Sequence, residues 1–219
     1  MAENSVACES RFTGGAFANF GVNFAVNFVG LITLGLAYPA MKCWQMRWEC
    51  EHTYYDGKQL SFDGTGGQYF GLFIKTMLLS LITLGIYYIL CGSVALEKWR
   101  TKHTHFAGEE DIESEFDGKW YQLLGVNLLT GFVTMITLSF GIYWAHCYSV
   151  RWQYNHQTIS GQRLNFDGKA MQYFGSCIKW ALLTLITFGI YSFWMAVKTK
   201  NWTCKHTHIL TGTAGSIEE

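Results

Sequence analysis

The stretch that decides the fold runs from Phe62 to Tyr87: FDGTGGQYFGLFIKTMLLSLITLGIY. The pattern returns at residues 166–191 as FDGKAMQYFGSCIKWALLTLITFGIY, identical at 17 of 26 positions. Each copy holds one lysine, Lys75 or Lys179, inside an apolar run. A repeat of this length indicates a fold built from copies of one unit.

Two weaker copies complete a set of four. Anchors of the Phe-x-Gly type begin at Phe12, Phe62, Phe116 and Phe166, spaced by 50, 54 and 50 residues. After each anchor come a glycine, an Ile-Thr pair, a second glycine and a Trp-x-x-x-His motif. We therefore divide the chain into an N-terminal tail (1–11), a first repeat pair 12–108 (units 12–61 and 62–108), an acidic linker (109–115), a second repeat pair 116–209 (units 116–165 and 166–209), and a C-terminal tail (210–219).

The composition favours a lipid environment. Hydrophobic residues make up 50% of the chain and charged residues 15%, below the quarter that is usual in soluble domains. Four long segments lack Asp, Glu, Lys and Arg altogether: 12–41, 76–96, 120–150 and 180–197. The formal net charge is zero, so bulk electrostatics gives no reason to expect a nucleic-acid partner.

Each unit predicts a helix, a tight turn at glycine and a second helix. Residues able to cap a helix precede the first apolar run of each unit, and we predict them as N-caps: Thr13, Asp63, Asp117 and Asp167. Asp56-Gly57 after the first unit is a type I′ hairpin signal, repeated by Ser160-Gly161. The predicted fold is an all-α membrane protein of four tandem helix-turn-helix hairpins, with about eight short membrane helices and short β-hairpin connections on the cytoplasmic side.

The placement of positive charge predicts the topology. Lysines and arginines lie in every connection between units, and the glycine turns have none. The positive-inside tendency then places both termini and all connections in the cytoplasm of a multi-pass protein. Each helical arm has roughly 15 to 18 apolar residues, short of the ~20 that span comfortably, so spanning helices and re-entrant hairpins both remain open. We predict interfacial anchors at Trp48, Trp99, Trp152 and Trp202, and on the far side at Tyr38, Tyr87, Tyr143 and Tyr191.

These motifs resemble a known family. The combination FDG, QYFG, ITLGIYY and a terminal HT over residues 12–209 is similar to the YjgN-like bacterial inner-membrane proteins, domain of unknown function 898. Unit one departs with FTG for FDG, and unit three inserts Ser139-Phe140 before its glycine. The resemblance implies an integral protein of the bacterial inner membrane and no activity.

Four polar residues within the apolar runs are candidates for a function. Lys75 and Lys179, with Asn23 and Asn127 at a similar depth, would line a polar path if the units surround an axis. The alternatives are lysine side chains that snorkel to the headgroups and asparagines that join helices. A metal site is a weaker candidate, with ligands from His103, His105, His206 and His208.

Two functions from different classes are predicted. The first is transport of a small solute or ion along the polar path. The second is a self-assembling structural or membrane-shaping protein without transport, which would form a homo-oligomer. No catalytic or cofactor motif occurs, so we predict neither an enzyme nor a bound cofactor, and the lipid bilayer is the expected partner.

Overall fold

The computed structural model describes residues 9–137 and 141–210, apart from the side chains of residues 89 and 90. Within these residues the chain forms eight α-helices and eight short strands. Most of both predicted tails and the Ser139-Phe140 insertion lie outside the described residues.

The first half contains four helices and four strands. They are, in order, β1 (Arg11–Phe12), α1 (Ala16–Ile32), α2 (Tyr38–Glu51), β2 (Thr53–Tyr55), β3 (Lys58–Phe62), α3 (Gly66–Ile82), a π-helical turn (Tyr88–Gly92), α4 (Ser93–Lys102) and β4 (Thr104–Phe106). The strands form one antiparallel sheet in the order β1-β2-β3-β4.

The second half repeats this order. Its elements are β5 (Glu115–Phe116), α5 (Trp120–Ile136), α6 (Ile142–Asn155), β6 (Gln157–Ile159), β7 (Gln162–Phe166), α7 (Ala170–Ile186), α8 (Ser192–Lys205) and β8 (Thr207–Ile209). The second sheet has the matching order β5-β6-β7-β8.

The β-hairpins have the predicted turn. Asp56 and Gly57 have φ of 46° and 81°, and Ser160 and Gly161 have φ of 45° and 72°. Positive φ at both central residues defines the type I′ turn, whose twist matches that of the flanking strands. The turn prediction is therefore confirmed.

The threonine of each Ile-Thr pair connects the two helices of a hairpin. Thr83 Oγ1 donates to Leu79 O at 2.7 Å and accepts from Tyr87 N at 2.9 Å. One hydroxyl thus joins the two helices: it adds a second bond to a carbonyl that already accepts from the Thr83 amide, and it accepts from an amide at the start of the next helix, which has no intrahelical partner. Thr33, Thr137 and Thr187 make the same pair of bonds.

The π-helical turn absorbs an extra residue in unit two. The Trp of Trp-x-x-x-His lies 16 positions after the Thr of the Ile-Thr pair in unit two and 15 positions after it in the other units. A π-helical turn is a one-residue insertion in a helix. The insertion lies between Tyr87 and Trp99, so Trp99 keeps the position of its equivalents.

The helices form a closed ring. Consecutive helices pack against each other except at α4, where the π-helical turn contacts α3, α4 and α5 in their place, and α8 packs against α1. Each odd-numbered helix lies against two even-numbered neighbours when the π-helical turn is counted with α4. The halves also meet at their sheets, where β2 contacts β8 and β4 contacts β6.

The bonds between the sheets follow a pseudo-twofold arrangement. Asp56 Oδ2, in the first β-hairpin, accepts from Ile209 N of β8 at 2.6 Å. Ser160 Oγ, in the second, accepts from Phe106 N of β4 at 3.0 Å. Each half thus bonds the last strand of the other half through the turn of its own β-hairpin.

An aromatic corner holds each strand to its helix. The Phe of each Phe-x-Gly anchor packs edge-on against the Trp of its own unit, with ring centroids 5.8–6.0 Å apart, and that Trp packs against the His of the same motif. The anchor glycine lies against both rings. A Cβ on Gly64 would lie 2.5 Å from the Phe62 ring and 2.9 Å from Trp99, so the corner admits only glycine.

The predicted all-α membrane fold is wrong. Helices predominate, but each half also forms a four-stranded antiparallel sheet. No helix among the described residues combines the length and apolarity needed to cross a bilayer, which contradicts the spanning alternative of the two that the sequence left open. Six of the eight strands have only two or three residues, and Leu60 of β3 pairs with Phe106 of β4, so local periodicity cannot reveal the sheets.

The predicted helix caps are displaced by two residues. The N-caps in the structure are Gly15, Thr65, Lys119 and Lys169. Backbone amides of the predicted caps instead donate to the carbonyl of the His of their own unit, which extends the strand-to-helix corner: Thr13, Asp63, Asp117 and Asp167. At these four residues the backbone pairs with the histidine carbonyl, and each helix begins only after the N-cap two residues later. The predicted residues therefore cannot be the N-caps.

We predict that Gly64→Ala destabilises the protein and that Gly71→Ala does not. The first substitution forces a methyl group into the aromatic corner, at a cost of about 1–3 kcal/mol. A Cβ added to Gly71, in α3, would have no neighbouring atom within 4 Å, so alanine there should stabilise by up to about 1 kcal/mol. Chemical denaturation of both variants measures this. Equal stabilities would contradict the role of the corner.

Candidate functional site

The structure does not bring the four predicted path residues together. Lys75 and Lys179 are exposed near the middle of α3 and α7. Asn127 is exposed on α5, beside an open groove between α5 and α6. Asn23 is half-buried, and its Oδ1 accepts from Gln45 Nε2 at 2.9 Å. Asn23 therefore joins α1 to α2, whereas the two lysines face away from the packed side of their helices.

The histidines form pairs with carboxylates. His103 Nδ1 lies 2.7 Å from Asp63 and His105 Nε2 lies 3.9 Å from the same carboxylate. His206 pairs with Asp167 at 2.9 Å, and His208 with Asp56 at 3.1 Å. No group of three or more metal-ligating side chains occurs among residues 9–137 and 141–210, so these four histidines form no metal centre there.

The predicted aromatic anchors have packing roles in the structure. The four tryptophans belong to the aromatic corners. The tyrosines lie at or near the start of the second helix of each hairpin and are half-buried. Tyr38 packs against Phe73, and Tyr143 against Phe174, so these two join one hairpin to the next.

The hairpin ends expose large apolar side chains. At the three described turns, Leu34 is 92% exposed, Leu84 92% and Phe188 97%. All three have φ of 50–51°, a left-handed conformation that is unfavourable for such side chains. The glycine after each has φ of 85–90° and donates back to the first helix in a Schellman-type bond. The turn thus projects its bulkiest residue outward.

A cavity with a mixed polar and apolar lining lies at the opposite end of the hairpins, between the even-numbered helices and the two sheets. Its volume is about 320 Å³. All four units contribute the two residues directly after the Trp of Trp-x-x-x-His, which are, in order of unit: Glu49 and Cys50, Arg100 and Thr101, Gln153 and Tyr154, Thr203 and Cys204. The aromatic corner sets this register, because it fixes each Trp against its own strand.

Charged residues line part of the cavity. Lys200 Nζ bonds Glu49 Oε1 at 2.8 Å and Asn19 Oδ1 at 2.9 Å, which joins α8, α2 and α1. Arg100 lies 3.7 Å from Glu97, which is beyond hydrogen-bond distance. The Glu97 carboxylate holds the pKa of Arg100 above its ordinary value, so the guanidinium is always charged.

The uncharged polar wall is strongly desolvated. Burial raises the pKa of Cys50 and of Cys204 to about 12, and that of Tyr154 to about 12. His146 stacks on Tyr173, and burial lowers its pKa, which favours the neutral ring. Thr101 Oγ1 and His146 Nε2 are buried without a hydrogen-bond partner among the described residues.

Sequence reasoning does not find this cavity. The Trp-x-x-x-His motif predicts an interfacial anchor, and that interpretation assigns no role to the residues between Trp and His. Their signal is present in the sequence, because the residue after Trp differs sharply between units: Glu49, Arg100, Gln153 and Thr203.

The fold is thus a closed ring of four related helical hairpins on two antiparallel sheets. The family model described as "Bacterial protein of unknown function (DUF898)" matches residues 161–213, which confirms the suspected family over the fourth unit. No curated protein and no solved structure matches the chain significantly.

We predict that Cys50 and Cys204 are nearly unreactive in the folded protein. With a pKa near 12, the thiolate fraction at pH 8 is about 10³-fold below that of a thiol at the reference value of 9.0. Iodoacetamide labelling followed by peptide mass spectrometry measures this, with half-buried Cys91 as the internal reference. Labelling of Cys50 at the rate seen in urea would contradict the burial of this thiol.

The same raised pKa values predict a pH dependence of stability. Above pH 9 the unfolded thiols ionise while the folded ones stay protonated, so unfolding releases protons. The contribution of the two thiols is complete below pH 9 and is lost between about pH 9 and pH 12. A Cys50→Ala/Cys204→Ala variant should lose less stability over this range than the native chain, as measured by chemical denaturation at each pH.

Proposed function

We propose that the protein is a structural, membrane-shaping protein whose hairpins dip into a single leaflet without crossing it. The observation on which this rests is the exposure of Leu34, Leu84 and Phe188 at the hairpin ends, at 92%, 92% and 97%. Burying such a side chain in an apolar medium is favourable by about 1.5–3 kcal/mol. Three described ends together supply a strong preference for lipid over water.

The apolar surface continues down the outer faces of the hairpins. Large apolar side chains that are at least half exposed occur on all four first helices: Phe24, Phe28, Leu31 and Ile32; Met77, Leu78, Leu81 and Ile82; Leu128, Phe132, Met135 and Ile136; Leu182, Leu185 and Ile186. Exposed apolar patches of this extent typically mark contact with a membrane or a protein. The lack of charges at the hairpin ends favours lipid.

Lys75 and Lys179 support a shallow depth of insertion. Lys75 lies seven residues before the end of α3, which is about 10 Å along the axis. One leaflet of hydrocarbon is about 15 Å thick, half of the ~30 Å core. Helical side chains lean toward the helix N-terminus, which here is the sheet end, so both lysines can extend toward the headgroups while the hairpin ends stay in lipid.

The charge distribution supports an orientation. Lysines and arginines lie on the connections at the sheet end, where they would face the anionic surface of a cytoplasmic leaflet. The proposed location is therefore the cytoplasmic face of the bacterial inner membrane, with the sheets and both described chain ends toward the cytoplasm. Four hairpins inserted into one leaflet would expand it and favour curvature, and self-assembly would concentrate that effect.

Transport is the second candidate and has less support. It requires polar residues that face a shared route, but Lys75, Lys179 and Asn127 are exposed on the odd-numbered helices and Asn23 is bonded to Gln45. A membrane-inserted scaffold needs no such route.

We predict that Leu34→Ser/Leu84→Ser/Phe188→Ser weakens binding to vesicles of phosphatidylethanolamine and phosphatidylglycerol at least 100-fold, because each change removes about 1.5–3 kcal/mol of apolar burial. Flotation after dilution from detergent measures the binding, and electron microscopy of the vesicles measures their deformation. The matched control is Ile112→Ser/Leu210→Ser, which removes apolar side chains that are 45% and 50% exposed at the sheet end. If both variants float like the native chain, hairpin insertion is excluded.

We also predict that Lys75→Met/Lys179→Met binds the same vesicles as well as or better than the native chain, because no charge then has to reach the headgroups. Lys75→Arg/Lys179→Arg should bind like the native chain, since arginine also snorkels. Ion flux in proteoliposomes is measured in parallel. Flux that is present in the native protein and lost in the methionine variant would favour transport.

A further inference from the structure

The central cavity has an asymmetry that the symmetric scaffold does not require. The residue after the Trp of each unit is acidic in unit one, basic in unit two and neutral in units three and four: Glu49, Arg100, Gln153 and Thr203. Because the aromatic corners place these residues equivalently, their different chemistry is a property of the cavity and not of the fold. A purely structural centre would be satisfied by four apolar residues.

Among the charged side chains of the cavity wall, Arg100 makes the fewest hydrogen bonds. Its side chain is 42% exposed and lines the cavity. Its guanidinium makes no hydrogen bond to a side chain among the described residues, and Glu97 at 3.7 Å is not part of the cavity wall. Five N–H donors in a planar fork suit a carboxylate or a phosphate.

The other charges of the wall largely cancel. Lys200 and Glu49 are 2.8 Å apart and each is about one-third exposed or less, at 32% and 26%. Asn19 holds the lysine on its other side. Arg100, whose salt-bridge partner Glu97 lies 3.7 Å away and outside the wall, is therefore the cation of the described wall without a hydrogen-bonded carboxylate.

The size and the remaining wall limit the ligand. A volume of about 320 Å³ corresponds to about ten water molecules at ~30 Å³ each. The lining also includes apolar and aromatic side chains, among them Tyr55, Leu60, Val150 and Ile159. The cavity thus suits a compact molecule with one acidic group and an apolar body, and it is too small for a two-chain lipid.

We propose that the cavity binds a small organic anion of about ten non-hydrogen atoms, whose carboxylate or phosphate pairs with Arg100 and whose apolar part lies against Tyr55, Leu60 and Ile159. The site is independent of the hairpin ends, so it holds whether or not the hairpins enter lipid.

The test uses the full chain in detergent and the probes phenyl phosphate, benzoate, inorganic phosphate and benzylamine. Phenyl phosphate and benzoate should raise the unfolding temperature by several degrees at millimolar concentration, inorganic phosphate less, and benzylamine not at all. Calorimetric titration should give an affinity for phenyl phosphate that falls at least tenfold in Arg100→Gln and less in Arg100→Lys. Arg163→Gln, which alters a surface arginine paired with Asp117 at 3.2 Å, is the matched control and should bind normally.

A second measurement avoids variants that fail to fold. Phenylglyoxal modifies arginine, and phenyl phosphate should slow the modification of Arg100 but not of Arg163 in the native chain, as read by peptide mass spectrometry. Phosphatidic acid in mixed micelles should give no protection, which separates a free anion from a lipid headgroup. The proposal is overturned if phenyl phosphate leaves the Arg100 rate unchanged, or if Arg100→Gln binds it as the native chain does.

Discussion

The contact between the anchor phenylalanine and the tryptophan of the same unit is the constraint on which the rest of the structure depends. In unit two the rings of Phe62 and Trp99 lie 5.8 Å apart over Gly64, and the other units repeat this geometry. An edge-to-face pair of this kind adds about 0.5–1.5 kcal/mol beyond its area burial. Its larger effect is geometric, because it fixes the end of a strand against the last turn of the second helix.

The position of each Trp also fixes the residues directly after it. The next two residues enter the central cavity in every unit, and the histidine four positions after Trp closes the corner with its backbone carbonyl. Unit two tests this constraint within the chain itself, since it has one extra residue between Tyr87 and Trp99. The helix takes up that residue as a π-helical turn far from the corner, so Trp99 stays in place. Local distortion of the helix is therefore less costly than displacement of the corner.

Much of the fold could be predicted from the sequence because its signals are local. The repeats, the helical hairpins and the Asp56-Gly57 turn each depend on residues close together in the chain. The sheets could not be predicted, since Ser61 pairs with His105 and β1 has only two residues. The type and position of Asp63 allow a cap, but its amide pairs with the distant His103 O. Likewise, nothing local distinguishes Arg100, in the cavity, from Lys98, which is exposed.

The repeated unit exposes apolar side chains at one end of the molecule and holds charged side chains in the cavity wall at the other. At the turns, Thr83 and its equivalents each bond one backbone group of both helices, and the apolar side chains beside them are exposed. At the sheet end, short strands from all four units pair in the two sheets. These sheets help to cover charged side chains of the cavity wall that the helices alone would leave in water. The groove between α1 and α8 reaches Glu49 and Lys200, which also line the cavity, so this ion pair separates the interior from the outer surface. A ligand that entered there would have to displace a bonded ion pair rather than apolar packing.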